Sequence, residues 1–442
     1  MTKRLLSYAA PLAATILILT AILMAGTGPA GTPTFSKDVA PILYKNCVSC
    51  HRPGEIAPMS LLTYENARPW ARAIREQVAS GTMPPWHASE PRGTFSNDRR
   101  LSELEKQTLI RWADAGAPKG DPKDQPPIPM FVEGWEIGTP DVVISMPKEF
   151  EVPASGTVNY QFFEAPTKFT EDKWVQAIEV RPGTRSVVHH VLVFCREPGS
   201  RRIPSSFKAV GPRVSGDSHE DSHGHNGTPQ PSGPGSLIAT TAPGTNAMIY
   251  KPGTALLIKA GATLMFQVHY TSNGAAAKDR TSVGLIFAKT PPQQEIRNSA
   301  FINAMFVIPA GASDQAVESA IQFSEDVHIS ALFPHTHLRG KSWEYRLVYP
   351  DGRREVILAV PKYDFNWQTY YEFTKPLAVP AGTRLEATAH YDNSTANRWN
   401  PDPTVAVHWG PQTWEEMQYS GITYTVDGER REPAAGARDQ RQ

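Results

Sequence analysis

The sequence predicts a multidomain chain: a small all-α domain followed by two all-β antiparallel sandwich domains. Three observations predict this. At 442 residues the chain is too long for one ordinary core. Its 40 prolines and 32 glycines suit short strands and turns better than long helices. Helical periodicity is confined to residues 33–120, and strand-like runs fill the region beyond Trp135. Lys plus Arg and Asp plus Glu each total 44, a balance that argues against nucleic acid or an anionic membrane surface as the main partner.

Residues 1–30 read as a signal peptide or N-terminal anchor. Lys3 and Arg4 precede an apolar run from Tyr8 to Ala25, and Gly28 and Ala30 suit a signal peptidase. The run is near the lower limit for spanning a bilayer, so an uncleaved membrane anchor is the alternative. Either reading places the protein outside the cytosol, periplasmic or secreted. Two of the three cysteines stand in Cys47-Val48-Ser49-Cys50-His51, leaving Cys195 without a disulfide partner if that motif is otherwise engaged.

In the helical region, Asn66–Ser80 places Trp70, Ile74 and Val78 at a four-residue interval. Leu101–Ala115 is a second helix, with a Ser102/Glu105 capping box, a broad face of Leu101, Leu104, Leu109 and Trp112, and Gly116 to close it. Residues 118–130, PKGDPKDQPPIPM, are proline-rich, and the linker is assigned to 121–134. Strands are expected at Val187–Phe194, Leu264–Tyr270, Val283–Ala288, Tyr345–Tyr349 and Leu385–Tyr391, with turns such as Pro350-Asp351-Gly352 between them. They divide into a first sandwich at 135–291 and a second at 298–427, joined near Pro291-Pro292. Residues 199–247, rich in Ser, Gly and Pro and holding His219, His223 and His225, read as an insertion in the first, with opportunistic metal capture as the alternative. Residues 428–442 read as a disordered tail.

A repeat supports the division. Ala260-Gly261-Ala262-Thr263-Leu264 leads to His269-Tyr270, and Ala381-Gly382-Thr383-Arg384-Leu385 leads to His390-Tyr391 at the same spacing. Each copy follows a histidine pair, 189/190 or 335/337. Duplication explains this, although a common turn-to-strand sequence would too.

Cys-x-x-Cys-His attaches haem through two thioethers, with the histidine as iron ligand. Cys47, Cys50 and His51 are therefore candidates for one covalent haem c. The sixth ligand is placed at Met83, presented by Pro84 and Pro85, with Met59 and His87 as rivals. The segment from Phe35 through Gly116 resembles a class I cytochrome c domain.

His189 and His190 are adjacent in an apolar run. Strand neighbours point to opposite faces, so both can reach one metal only at a bulge or sheet edge. His335 and His337 are two apart and share a face. His269 lies in Gln267-Val268-His269-Tyr270, and Met417 follows Glu415-Glu416. Imidazole suits copper or zinc, and a thioether favours Cu(I). His390 competes with Met417, because the repeat aligns it with His269. His328 and His408 read as structural or surface residues.

The stretches HHVLVF, QVHY, HTHLRG and WEEM occur in the order found in copper type II monooxygenases, and residues 135–427 resemble that family, which includes peptidylglycine α-hydroxylating and dopamine β-monooxygenases. The resemblance implies two antiparallel jelly-roll sandwiches with a solvent cleft between them, and two copper ions. His189, His190 and His269 would hold an electron-storing copper; His335, His337 and Met417 would hold the catalytic copper that binds O2. It further implies hydroxylation of a small-molecule substrate with two electrons from ascorbate. The animal enzymes' disulfides and peptide-binding residues have no counterpart, and the haem motif is an addition. The haem, or an external redox protein, is then a natural donor. The alternatives are a copper–haem electron-transfer or metal-binding protein that hydroxylates nothing, and a carbohydrate- or partner-binding sandwich with vestigial sites.

Overall fold

The structure, a computed structural model, describes residues 31–55, 57–131, 134–198, 207–209, 236–242 and 247–429. The N-terminal signal or anchor, His219, His223, His225 and all but the first two residues of the tail lie outside these. Among the described residues no helix is long and apolar enough to cross a membrane.

Two compact units emerge. The first holds the described residues up to Val48, Ser60–Thr82 and Leu101–Ile128; the second holds Ser49–Met59, Met83–Arg100 and residues from Pro129 on. Two segments expected within the helical domain thus sort with the strands, and the boundary falls inside the Cys-x-x-Cys-His motif.

The first unit is helical: Ala40–Asn46, Tyr64–Ala67, Ala71–Ser80 and Glu103–Asp114. Phe35, Leu43, Ile74, Val78, Leu109 and Trp112 are buried, and the Phe35 ring lies 5.6 Å from Tyr64 and 6.2 Å from Trp112. The expected Asn66–Ser80 helix is interrupted by a 3-10 turn at Arg68–Trp70 that contains Pro69. That turn shifts the phase, leaving Trp70 41% exposed, off the expected face. Leu104 likewise points outward, at 74% exposure, because it sits in the first helical turn beside Glu103. The capping box of Ser102 and Glu105 forms as expected, and Gly116, at φ +82°, ends the helix.

In the second unit, each sandwich has its own core. In the first, a sheet of Gln161–Pro166, Thr263–Tyr270, Val188–Arg196 and Ser236–Thr241 faces Val142–Ser145, Ser282–Phe287, Lys173–Arg181 and Thr254–Ile258. In the second, Gln294–Ile302, Tyr419–Val426, Val327–His335 and Tyr371–Val379 face Arg354–Val360, Gly340–Val348, Arg384–Tyr391 and Gln315–Phe323. The sandwiches are not merely linked. Gln294–Ile296 pairs in parallel with Thr254–Leu256, so one nine-stranded sheet runs through both. Within the stretch read as an insertion, Ser236–Thr241 is a buried strand and Phe207–Ala209 pairs with Gln315–Phe323 of the second sandwich. Composition hid the Leu-Ile-Ala run behind its Ser/Gly/Pro-rich neighbours.

The repeat is visible in the backbone. Gly261 takes φ +72° and Gly382 φ +82°, each on the way into a central strand. A Cβ at either would meet a proline Cγ, of Pro198 at 3.1 Å and of Pro350 at 3.2 Å.

Met83–Arg100 forms a strap along the side of the second sandwich. Arg354–Val360 and Tyr371–Val379 are the edge strands of its two sheets. The Ser89 amide donates to the Ala359 carbonyl (2.9 Å), and Ser96 donates to the Glu372 carbonyl (2.8 Å). Trp86 and Phe95 are buried in the core against Tyr371, at 5.2 and 5.5 Å between ring centres. The strap therefore satisfies backbone groups on both open edges, and each buried ring contributes about 2 kcal/mol.

Candidate metal centre

His190 and His269 are direct cross-strand partners. Beyond them the register slips, so that Tyr270 faces Val188 and His189 is the extra residue. This bulge is the distortion that two adjacent histidines require. A nitrogen from each of His189, His190 and His269 lies within 4.8 Å of the others. The two Nδ1 atoms of His189 and His190 face each other at 3.0 Å. The Tyr160 hydroxyl occupies His190 Nε2 at 3.1 Å, leaving Nδ1 as that ring's inward atom. His269 Nδ1 is buried without a hydrogen-bond partner. A buried orphan nitrogen beside two converging ones fits a metal.

The second set lies at the end of Val327–His335. His335 and His337 have ring centres 5.2 Å apart. His335 Nδ1 donates to Gln368 Oε1 (2.9 Å), and Gln368 in turn donates to the Phe365 carbonyl (3.3 Å). His337 Nδ1 donates to the Glu415 carbonyl (3.1 Å). Both rings therefore carry the lone pair on Nε2, the ordinary arrangement for a metal-ligating histidine. Met417 lies two residues before Tyr419, the register partner of His335. Its backbone is held by the Tyr391 hydroxyl, which donates to the Met417 carbonyl (2.7 Å).

Burial drives these imidazoles toward the neutral form that a metal requires. His269 falls to about 3 and His335 to about 4 through desolvation, and His190 and His337 fall well below their ordinary value for the same cause.

His390 does not join the second set. Its Nδ1 bonds Asp314 Oδ1 (2.9 Å) on the sheet opposite the strand that carries His335. The repeat aligns strands, but the histidine pairs sit in non-equivalent places: 189/190 beside His269 in one sheet, 335 across the sandwich from His390. His328 bonds Asp427 (2.7 Å), and His408 is exposed.

Four supporting residues were not legible in the sequence. The Tyr160 ring lies 4.8 Å from His269 and 6.2 Å from His337. Phe365 lies 5.6 Å from His189 and 6.0 Å from His337. Both are buried. Glu416 is fully buried and accepts from the His337 amide (2.7 Å) and the Arg339 amide (2.6 Å). Burial pushes its carboxyl up to about 8 despite those donors. Gln368 is the fourth. The position of Glu416 in Glu415-Glu416-Met417 was the one available signal; the others depend on long-range packing.

In the haem motif, His51 Nδ1 donates to the Met59 carbonyl (3.3 Å), which leaves Nε2 for a metal. None of Cys47, Cys50 and Cys195 is in a disulfide. Met59 thus supplies its backbone to His51, Met83 heads the strap, and His87, half-buried within it, lies near Asp364.

Residues 303–428 match the family model for the copper type II ascorbate-dependent monooxygenase, C-terminal domain. No curated protein is similar enough in sequence to compare with the chain. Among solved structures, the major capsid protein P2 of bacteriophage PM2 is 11% identical over 64% of this chain and 97% of its own, with a TM-score of 0.26. A putative secreted protein from Eubacterium rectale is 9% identical over 60% of this chain and 69% of its own, with a TM-score of 0.19. These likenesses are too slight to bear on fold or function. The second sandwich, with His335, His337 and Met417, is thus the part that matches a copper monooxygenase domain, which supports an oxidoreductase of that general kind.

Proposed function

We propose that the protein is an exported, copper-dependent monooxygenase that hydroxylates a C–H bond of a small-molecule substrate with O2. The observation that carries this is the pair of histidine groups, three converging imidazoles in one sandwich and two more in the next, where His335 pairs with Tyr419, two residues past Met417. His189, His190 and His269 would hold one copper; His335, His337 and Met417 would hold the other. Bound copper supplies one-electron storage at the first set and O2 activation at the second. The chain's own part is positional. Tyr160 and Gln368 fix which nitrogen of His190 and His335 faces inward, and Glu416 pins the His337 and Arg339 amides. The buried Tyr160 and Phe365 rings limit water beside both sets.

A haem c on Cys47, Cys50 and His51, with Met83 as the second axial ligand, would supply single electrons in place of, or after, ascorbate. The His51–Met59 bond supports this. So does Glu55, whose carboxylate lies 3.6 Å from Arg185, four residues before His189. The basic and then apolar N-terminus supports export, with retention as a membrane anchor the other outcome.

Metal analysis and oxygen uptake test the proposal together. The expected result is two coppers and one haem iron per chain, with O2 consumed in step with a hydroxylated product. Zinc at both sets, or a single copper, would overturn it. Both metals present with no oxygen-dependent product would favour an electron-transfer protein.

A further inference from the structure

The loop that joins Arg354–Val360 to Tyr371–Val379 crosses from one sheet of the second sandwich to the other and carries much of the second set's support. The Tyr363 hydroxyl donates to the Thr336 carbonyl (3.0 Å) and accepts from the Thr336 amide (3.2 Å), so it holds the residue between His335 and His337 at both backbone groups. Phe365 packs on His337, and Gln368 accepts from His335 Nδ1.

Both feet of this loop are held by the strap. At the first foot, Ser89 donates to the Ala359 carbonyl, and the Ala359 amide donates to Glu90. At the second, Asn97 Nδ2 donates to the Tyr370 carbonyl (2.6 Å), and Asn97 Oδ1 accepts from the Glu372 amide (3.3 Å). The Thr374 hydroxyl donates to the Gly93 carbonyl (2.7 Å), and its amide donates to the Thr94 carbonyl (3.0 Å). In the chain, the strap lies between the helices Ala71–Ser80 and Glu103–Asp114 of the other unit.

We propose that the strap is a positioning element for the second metal site: Glu90 and Asn97, by clamping the feet of the 361–370 loop, hold Tyr363 and Gln368 in place and so fix the tautomer and aim of His335. The inference rests on the reading of His335, His337 and Met417 as a copper site. A loop of ten residues free at either foot would sample many conformations, and Gln368 would then satisfy His335 only part of the time.

The test uses the full chain and two readouts. In metal-free protein, the His335 Nδ1–H resonance should be protected from exchange, and Asn97→Ala should speed its exchange at least several-fold. In the His269→Ala background, which disables the first set, Cu(I) affinity reports the second set alone. There Gln368→Ala should weaken binding by about tenfold or more, the range usual for outer-shell partners of a ligating histidine. Gln368→Glu, which keeps the acceptor, should restore it. Asn97→Ala should weaken binding in the same direction by a smaller factor, and Glu90→Gln provides a milder probe should Asn97→Ala fold poorly. A strap that served stability alone would lower the melting temperature and leave Cu(I) affinity and exchange unchanged; that result overturns the proposal. If the His269→Ala protein binds no copper, the copper reading fails with its consequence for affinity, while the exchange measurement still decides whether the strap positions His335.

Discussion

A buried imidazole has two nitrogens, and each needs a use. In His190 the Tyr160 hydroxyl takes Nε2, and in His335 and His337 an oxygen acceptor takes Nδ1. The inward nitrogens are thereby opposite in the two sets, Nδ1 in the first and Nε2 in the second. Tyr160→Phe removes the partner of a buried nitrogen and is expected to cost about 1–3 kcal/mol, measured by denaturant unfolding of metal-free protein. Glu416→Gln keeps one acceptor oxygen but turns an amide group toward a backbone N–H. It should weaken copper at the second set by about 10–100-fold while the first set keeps its metal. The choice between Met417 and His390 is open to the same measurement. Met417→Ala should reduce bound copper from two to one, whereas His390→Ala should leave both, because His390 is engaged by Asp314 across the sandwich. If His390→Ala is the variant that loses copper, the third ligand is His390.

At the scale of elements, what could be read from the sequence was what depends on local periodicity. Alternation in a strand requires a bulge for His189 and His190, and the register slips there; His335 ends its strand and His337 lies just past it, so that pair is placed by the turn that follows and not by alternation. The capping box was readable because its partners are three residues apart. What could not be read depends on which strands become edges. Gln368 and Phe365 sit in a crossover between sheets, and the strap satisfies two edges more than 250 residues further along the chain. Trp86 and Phe95 carry no periodic signal that would assign them to a distant core. The capping box also yields a pH prediction. Burial alone would raise the Glu105 carboxyl, but bonds from the Ser102 amide, Lys45 and the Ser102 hydroxyl outweigh it and lower it to about 2. Its folded value is therefore below its unfolded value. The stabilisation is complete above the ordinary value of 4.5 and is lost as pH falls toward 2. Glu105→Gln should cost the helical unit about 1 kcal/mol near neutral pH. The difference from wild type should shrink through that acidic window, as followed by far-ultraviolet circular dichroism. A difference that stays constant with pH would assign the effect to packing instead.

At the scale of the whole molecule, the two sandwiches share a sheet and a second contact. Leu192, Phe194 and Met265 of the first meet Phe333, Tyr370 and Tyr419 of the second. Leu192 and Phe333 lie two residues from His190 and His335 on the same strands and so share their faces, which puts both histidine sets at the rim of this apolar interface. Both sets lie within the same compact unit. Supply from outside is the remaining step. The segment after His51 is tied to the first sandwich at Arg185, whose guanidinium also donates to Thr241 (3.1 Å) on the strand next to His189. A haem carried by that motif would therefore discharge to the first set before the second. The expected outcome in stopped-flow absorbance is that fully reduced haem is reoxidised by O2 much faster when copper is present. His269→Ala should slow that reoxidation by emptying the first set, while Met417→Ala should leave the first electron's transfer intact and stop the second. Any reductant able to reduce the haem should then replace ascorbate. Equal reoxidation rates with and without copper would take the haem out of the catalytic path, leaving ascorbate to reduce the coppers directly.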